Sequence, residues 1–287
     1  MTLKAAFQHA RLQLAGEYRP READIVAGMV LEAVTGWDRL GRLTHAEFPL
    51  SEAQQKDLQE KLKALAEGMP IQYVLGEAWF YGLSFYVGPE VLIPRPETEE
   101  LVSWILEDHL PHAGVARTLI DIGTGSGCLA VALKKNRPDF RIIALEHSAA
   151  ALTTAARNAE RHGTPLTFLQ ADILDPATYG SLPALDIIVS NPPYIPLHEK
   201  PTLQRRVSDY EPGEALFVPD ADPERFYRAV LDVAETRLSP GGAVYVEIHA
   251  DHGEAVMQLF GERGFLSVSL RQDLSGRDRM IRGRKSS

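Results

Sequence analysis

Alternation between strand-like and helix-like segments in the second half of the chain limits its fold more than any other feature. Short apolar runs predict strands at residues 118–122, 141–145, 166–169, 186–189, 243–248, 266–270 and 279–281. Helical patterns lie between them, at residues 129–133, 149–161, 226–238 and 254–262. Strands that are separated by helices pair in parallel, and the helices cover both faces of the sheet. The sequence therefore predicts an α/β domain with a mostly parallel, seven-stranded sheet.

The first 75 residues have a different, wholly helical pattern. Their apolar residues recur every three or four positions, which predicts a small bundle of amphipathic helices. One helix begins at Ser51, whose spacing to Gln54 is that of a capping box. The helix before it is expected to bury Ile25, Val26, Met29, Val30, Ala33 and Val34.

Aromatic and β-branched residues between positions 79 and 91, interrupted by Gly82 and Gly88, predict a β-hairpin between these two parts. The expected domain organisation is therefore a helical domain at 1–75, a hairpin linker at 76–95 and an α/β domain at 96–287.

Composition excludes several classes of protein. The chain of 287 residues has a formal net charge of −9, which argues against binding nucleic acid over a broad surface. It contains 1 cysteine, Cys128, so it has no intramolecular disulfide, and we interpret the thiol as a packing residue. No apolar stretch approaches the length that spans a bilayer. We expect a cytoplasmic protein.

Residues 121–127, Asp-Ile-Gly-Thr-Gly-Ser-Gly, form a glycine-rich turn between a predicted strand and a predicted helix. Glycines allow a sharp turn and a close approach of the backbone to a ligand. Their spacing is GxGxG, which differs from the dinucleotide fingerprint GxGxxG, and no phosphate-binding lysine follows. This pattern favours a nucleoside with a small charged tail, such as S-adenosylmethionine.

Two carboxylates follow the next two strands. Glu146 ends a predicted strand about 20 residues after the glycine turn, where an acidic side chain can accept the hydroxyls of a ribose. Asp172 comes just past the following strand, where it can reach an adenine edge or serve only as a turn residue.

Asn191-Pro-Pro-Tyr194 directly follows another apolar strand. Two prolines remove two N–H donors and hold the backbone extended, which leaves carbonyl oxygens as acceptors. A planar NH2 group can donate to the side-chain oxygen of Asn191 and to a main-chain carbonyl, while Tyr194 stacks on its face. The tetrapeptide therefore predicts a site for an amide or aminopurine nitrogen.

Together these features resemble the class I S-adenosylmethionine-dependent methyltransferases that act on planar NH2 nitrogens. Further segments narrow the resemblance to the peptide chain release factor glutamine methyltransferases, the PrmC/HemK family. These segments are residues 70–76, 80–83, 92–99, 210–212, 215–217, 247–248 and 276–279. The family commonly has aspartate where this chain has Glu146, and the longer side chain still reaches a ribose.

The resemblance implies a Rossmann-like methyltransferase domain that transfers a methyl group from S-adenosylmethionine to the N5 amide nitrogen of the glutamine in the Gly-Gly-Gln motif of release factors. The expected cofactor contacts are Gly123, Thr124, Gly125, Ser126, Gly127, Glu146, Asp172, Ile173 and Asn191. The expected substrate contacts are Asn191, Pro192, Pro193 and Tyr194, of which Asn191, Pro192 and Tyr194 support catalysis. We expect the protein to be a monomer whose helical domain recognises the release factor.

Two other functions remain open from the sequence. A DNA methyltransferase that acts on adenine N6 or cytosine N4 has the same acceptor motif, but it needs a basic domain that the first 75 residues do not provide. A non-catalytic binding module with the same fold would have no need of the amide-positioning motif.

Histidines and the basic C-terminal run are interpreted as surface features. The pairs His109 with His112 and His249 with His252 lack a third ligand nearby, so no metal site is expected. The arginines and lysine between 271 and 285 are taken as a solvated end strand, with an acidic or RNA-bearing partner as the alternative.

Overall fold

The computed structural model describes residues 1–110 and 114–286. Its helices are α1 (Leu3–Leu14), α2 (Pro20–Thr35), α3 (Arg39–Thr44), α4 (Glu52–Ala66), α5 (Ile71–Leu75), α6 (Pro96–His109), α7 (Cys128–Asn136), α8 (Ala149–Arg161), α9 (Ala177–Ser181), α10 (Arg205–Ser208), α11 (Arg225–Arg237) and α12 (Gly253–Glu262). Its strands are β1 (Glu77–Phe80), β2 (Leu83–Tyr86), β3 (Thr118–Ile122), β4 (Arg141–Glu146), β5 (Thr167–Gln170), β6 (Leu185–Ser190), β7 (Ile195–Pro196), β8 (Phe217–Val218), β9 (Leu238–Glu247), β10 (Leu266–Gln272) and β11 (Asp278–Arg284). Short 3-10 helices occur at Leu197–Thr202, Gly213–Ala215 and Ala250–His252. The described helices are all too short or too polar to cross a membrane.

Two compact units make up the chain. The first, the helical unit, comprises Met1–Glu77 and Gln204–Tyr210, and the second, the α/β unit, comprises Ala78–Leu203 and Glu211–Ser287. The helical unit has its own apolar core, which contains Leu3, Ala6, Ala10, Leu14, Val26, Val30, Leu31, Leu58, Leu62 and Leu65 among its buried residues.

Local signals set the helix boundaries in the helical unit. Ser51 and Gln54 form the predicted capping box at the start of α4, so this prediction is confirmed. Val26 and Val30 of α2 are buried as predicted, but the prediction is wrong for Ile25, Met29 and Ala33, which are exposed. The buried face instead includes Ala23, Ala27 and Leu31. Both sets have helical spacing, and only the positions of α1 and α4 select between them.

The distant segment Gln204–Tyr210 packs within the helical unit. The Arg206 guanidinium lies 4.7 Å from the centre of the Tyr18 ring, and its Nη1 is 3.6 Å from Glu22 Oε1. The Tyr210 hydroxyl donates to the Glu67 carbonyl over 2.7 Å. These contacts join a short piece of chain to helices that precede it by more than a hundred residues.

The α/β unit contains the predicted seven-stranded sheet, in the order β10-β11-β9-β6-β3-β4-β5. The pairs β3–β4, β3–β6, β4–β5 and β6–β9 are parallel, whereas β11 is antiparallel to both of its neighbours. The chain runs outward from β3 to β4 and β5, and then returns to the other side of β3 as β6. The strand order reverses there, so the carboxyl ends of β3 and β6 frame the crevice where doubly wound sheets bind ligands.

Alternate residues of the central strands enter different cores. Leu119 packs on one face of the sheet with α6 and α7, while Ile120 and Ile122 pack on the other face with α11 and α12. This period of two follows from the pleat, and both faces are covered, as the fold class predicts. The predicted fold class, including the N-terminal helices and the hairpin of β1 and β2, is confirmed.

Helix α6 and the position of His109 differ from the expectations drawn from the sequence. Helix α6 was not predicted, although Pro96 occupies its first turn and acidic residues follow, both of which are typical of a helix start. His109 is buried instead of lying on the surface, and burial lowers its pKa to about 4. His112 lies outside the described residues.

The basic C-terminal run is paired within the chain. Arg282 Nη1 lies 2.7 Å from Asp108 Oδ2, Arg279 Nε lies 3.3 Å from Asp273 Oδ2, and Arg271 Nη2 lies 2.8 Å from Glu107 Oε2. The expectation of a solvated end strand is therefore wrong for Arg279 and Arg282, whose side chains are mostly buried against Asp273 and Asp108.

Candidate active site

The glycine turn leads from β3 into α7 and is held against the end of β4. The backbone N–H groups of Gly123 and Thr124 both donate to the Leu145 carbonyl, over 2.9 and 3.0 Å. Gly127 has φ of 78°, and a Cβ there would lie 3.1 Å from Ala155 Cβ on α8. Only glycine therefore lets α8 pack this closely behind the turn.

Glu146 ends β4 and braces the same turn. Its Oε2 accepts from the Gly125 N–H over 3.0 Å, and its Oε1 accepts from the N–H groups of His147 and Ser148 over 2.9 and 3.1 Å. A carboxylate offers about four lone-pair positions, and three are used here by the backbone. One position on Oε2 remains for a ligand hydroxyl.

A single cleft brings most of the predicted site residues together. It has an empty volume of about 1030 Å³, part of which is open to solvent. Among the predicted residues, its lining includes Gly123, Gly125, Glu146, Asp172, Ile173, Asn191, Pro192 and Pro193. Leu174, Phe226 and Val230 add apolar surface of the kind that packs against a flat ring.

Asp172 lies at the mouth of the cleft and also stabilises a turn. Its Oδ1 accepts from the Leu174 N–H over 2.8 Å, and the neighbouring Ile173 is buried. One carboxylate oxygen of Asp172 therefore stabilises the turn, as the sequence allowed, and the side chain also lines the cleft.

A smaller recess adjoins the cleft and contains other predicted residues. It shares Leu92, Gly123, Gly125 and Asn191 with the cleft, and it is also lined by Arg95, Thr98, Asp121, Thr124, Ser126 and Cys128. Burial raises the pKa of the Cys128 thiol to about 12, so the cysteine stays protonated and unreactive.

Asn191 follows β6 with its amide orientation held by a neighbour. Its Nδ2 donates to Thr98 Oγ1 over 3.1 Å, which leaves Oδ1 as the acceptor of the side chain. Tyr194 is not among the residues that line the cleft. Its ring packs against the core beneath α11, and its hydroxyl donates to Glu247 Oε1 over 3.0 Å.

Four residues of this region were not among the predicted site residues. Asp121 is buried beneath the glycine turn and accepts from Thr124 Oγ1 over 2.6 Å. Thr98 Oγ1 donates to Glu247 Oε2 over 2.6 Å, and Glu211 accepts from the Ile93 N–H. Thr98, Glu211 and Glu247 lie inside segments that resemble the release factor methyltransferases, and Asp121 lies in the glycine turn. A polar residue within such a motif was the signal that could have identified them.

Glu211 connects two loops at the cleft. One carboxylate oxygen is 2.5 Å from Arg95 Nη2, and the other accepts from the Ile93 N–H over 3.1 Å. The loop that begins at Glu211 then contributes Pro212 and Glu214 to the cleft lining. The ion pair therefore holds one wall of the cleft against the proline-rich loop.

Comparison with known proteins agrees with this geometry. A model of the PrmC N-terminal domain matches residues 5–76, and a model of the methyltransferase small domain matches residues 100–208. A release factor glutamine methyltransferase of Flavobacterium psychrophilum is 39% identical over 270 residues, which are 94% of each chain. One from Bacteroides thetaiotaomicron is 38% identical and covers 95% of this chain and 96% of its own. This chain belongs to the release factor glutamine methyltransferase family.

Solved structures support the fold. A methyltransferase of Pyrococcus furiosus is 20% identical, with a TM-score of 0.51 over 83% of this chain and 100% of its own. A 16S rRNA N2 G1207 methyltransferase of Thermus thermophilus, solved with AdoMet and guanosine, has the same TM-score over 73% of this chain and 49% of its own. The predicted class I methyltransferase fold is confirmed. Membership of the family favours the protein-modifying alternative over a DNA methyltransferase or a non-catalytic module.

Across residues 1–110 and 114–286, there is no group of three or more His, Cys, Asp or Glu side chains that could hold a metal ion.

Proposed function

We propose that this protein transfers a methyl group from S-adenosylmethionine to the side-chain amide nitrogen of the glutamine in the Gly-Gly-Gln motif of peptide chain release factors. The observation that carries the proposal is the acceptor arrangement at the end of β6. There, Asn191 presents Oδ1 because its Nδ2 is already bonded to Thr98. The names of the relatives supply the substrate class.

The cleft suits S-adenosylmethionine in shape and charge. Ile173 and Phe226 would contact the adenine, and the remaining acceptor position of Glu146 would bind the ribose. No atom lies within 4 Å of a Cβ built on Gly123 or Gly125, so a ligand can lie directly over the turn. The carboxylates of Asp121 and Glu146 favour a ligand with positive charge. When bound, the cofactor supplies an electrophilic methyl group.

The chain's own contribution is positioning. An amide nitrogen is a poor nucleophile because its lone pair is delocalised into the carbonyl. Asn191 Oδ1 and the Pro192 carbonyl would accept the two N–H bonds of the glutamine, which orients the nitrogen and stabilises the positive charge that develops on it. No covalent intermediate with the protein is needed.

We also propose that the helical domain, residues 1–75, recognises the release factor. A Gly-Gly-Gln tripeptide has one side chain, so the cleft alone offers little selection between proteins. On α3, Leu40 and Leu43 are 71% and 69% exposed and share one face of the helix, which is unusual for two leucines in six residues. They are the first candidates for a contact with the substrate protein.

Mass spectrometry of a purified release factor tests the function. Incubation with the protein and S-adenosylmethionine should add the mass of one methyl group, and fragmentation should place it on the motif glutamine. A release factor whose motif glutamine is replaced by alanine should gain nothing, and Asn191→Ala should slow the reaction. Methylation at another residue, or none, would reject the proposed substrate.

A further inference from the structure

A chain of buried hydrogen bonds leads from the sheet to the acceptor motif. Glu247, at the end of β9, is 1% exposed. Its Oε2 accepts from Thr98 Oγ1 over 2.6 Å, and its Oε1 accepts from the Tyr194 hydroxyl over 3.0 Å. Thr98 Oγ1 in turn accepts from Asn191 Nδ2 over 3.1 Å. Three elements that are far apart in sequence thus meet at one carboxylate.

The direction of these hydrogen bonds follows from chemistry. Burial raises the pKa of Glu247, while the hydrogen bonds from Thr98 and Tyr194 and the charge of Arg279 favour its ionised form. The ionised carboxylate can only accept, so Thr98 gives its single hydroxyl proton to Glu247. The threonine oxygen then faces Asn191 with a lone pair, which only the NH2 end of the amide can use. With the NH2 end so engaged, the carbonyl end of Asn191 is the part left to meet a substrate.

We propose that Thr98 and Glu247 are positioning residues that hold the Asn191 amide in the one orientation that accepts a hydrogen bond from the substrate NH2 group. This inference rests on the proposed function and extends it to two residues that are not part of the main cleft lining. Without them, the amide of Asn191 can rotate by half a turn and present its own NH2 group, which repels the NH2 group of a glutamine.

The buried position makes the arrangement effective. Thr98 is 4% exposed, so water does not compete for its hydroxyl. Both ends of Asn191 have similar size and shape, so packing cannot tell them apart, and only hydrogen bonding does. The hydroxyl and the carboxylate are therefore required, whereas the methyl group of Thr98 is not.

Four variants separate positioning from stability. Thr98→Val keeps the shape of the side chain and removes its hydroxyl, whereas Thr98→Ser keeps the hydroxyl. The amide of Glu247→Gln can donate to Thr98, which reverses the direction of the hydrogen bonds between residue 247, Thr98 and Asn191. Thr164→Val is the matched control, because Thr164 is also buried in the α/β unit and donates to the Ala159 carbonyl over 3.1 Å, away from the cleft.

Single-turnover methylation and calorimetric binding of S-adenosylmethionine are measured for each variant. Thr98→Val and Glu247→Gln should lower the methylation rate by about tenfold or more, while S-adenosylmethionine affinity changes by less than about threefold. Thr98→Ser and Thr164→Val should stay near the wild-type rate. Equal losses of rate and cofactor affinity in Thr98→Val, or a wild-type rate in that variant, would overturn the inference.

Side-chain amide resonances provide a readout that does not depend on activity. The ¹H–¹⁵N pair that disappears in Asn191→Ala belongs to Asn191, and it should shift in Thr98→Val but not in Thr164→Val. An unmoved pair would show that Thr98 does not hold the amide. The proposed function would fail by a different result, namely that the wild-type protein leaves the motif glutamine unmodified.

Discussion

Asp121 should make the folded protein less stable as the pH rises towards neutrality. Its carboxyl is 1% exposed, and burial raises its pKa from 3.8 to about 7. The negative charge of Glu146 also raises this pKa, whereas the hydrogen bond from Thr124 lowers it. The folded state therefore holds this proton more tightly than the unfolded chain does. Its stabilising effect is complete below pH 4 and is lost progressively as the pH rises through 7.

The expected magnitude follows from the two pKa values. Ionisation of Asp121 lowers the free energy of unfolding by about 2 kcal/mol at pH 5 and by about 4 kcal/mol at pH 8. The variant Asp121→Asn cannot ionise at this position. Relative to the wild type, its free energy of unfolding should therefore rise by about 2–3 kcal/mol between pH 5 and pH 8.

Urea unfolding of both proteins at the two pH values measures this change. The comparison cancels the titration of other groups, and it also cancels any hydrogen bond that the asparagine fails to make, because that loss is the same at both pH values. A stability difference that does not vary with pH would refute the argument that Asp121 is buried with a raised pKa.

The same variant connects stability to the proposed function. The Asp121 carboxylate, which destabilises the fold at neutral pH, lies beneath the glycine turn over which a cationic ligand is proposed to bind. Asp121→Asn should therefore bind S-adenosylmethionine more weakly at pH 8, as measured by calorimetry. Unchanged affinity at that pH would separate the destabilising charge from cofactor binding.

Three further variants test the cleft and the helical unit. Glu146→Ala should weaken S-adenosylmethionine binding by roughly ten- to a hundredfold, measured by calorimetry, since it loses hydrogen bonds to a charged acceptor; unchanged affinity would reject the ribose role. Asn158→Ala removes a fully buried amide that hydrogen-bonds both the Tyr86 backbone and the Ser126 carbonyl. It should lower the free energy of unfolding by about 1–3 kcal/mol, and it should also weaken the binding of S-adenosylmethionine. A loss of stability with unchanged binding would limit Asn158 to a structural role. Replacing Leu40 and Leu43 together by glutamate should slow methylation of a whole release factor but not of a short Gly-Gly-Gln peptide, and equal slowing of both would place recognition elsewhere.

Local sequence patterns predicted the elements of the α/β unit closely. The predicted strand at 118–122 and the predicted helix at 149–161 have the observed bounds of β3 and α8. Strand pleat and helix pitch repeat over a few residues, so they leave a periodic trace in the sequence. The glycine turn and the Asn191 tetrapeptide could also be identified from the sequence, because each motif consists of consecutive residues.

These patterns did not predict which way individual side chains point. Tyr194 was expected to stack on the substrate, and that role stays a prediction, while its hydroxyl in fact contacts Glu247. On α2, the helical period allowed two overlapping faces, and the predicted face shares only Val26 and Val30 with the buried one. In both cases the choice depends on which other element lies opposite.

Sequence patterns alone predicted the alternation of strands and helices, the fold class, and the glycine, carboxylate and asparagine residues at the ends of β3, β4 and β6. The tertiary structure decided which polar groups become paired and buried. Thr98 and Glu247 are separated by 149 positions yet share a hydrogen bond, and Asp121 has its raised pKa only because other elements exclude water from it. Periodicity is a property of neighbouring residues, whereas desolvation and hydrogen-bond direction arise from whatever the fold packs around a group.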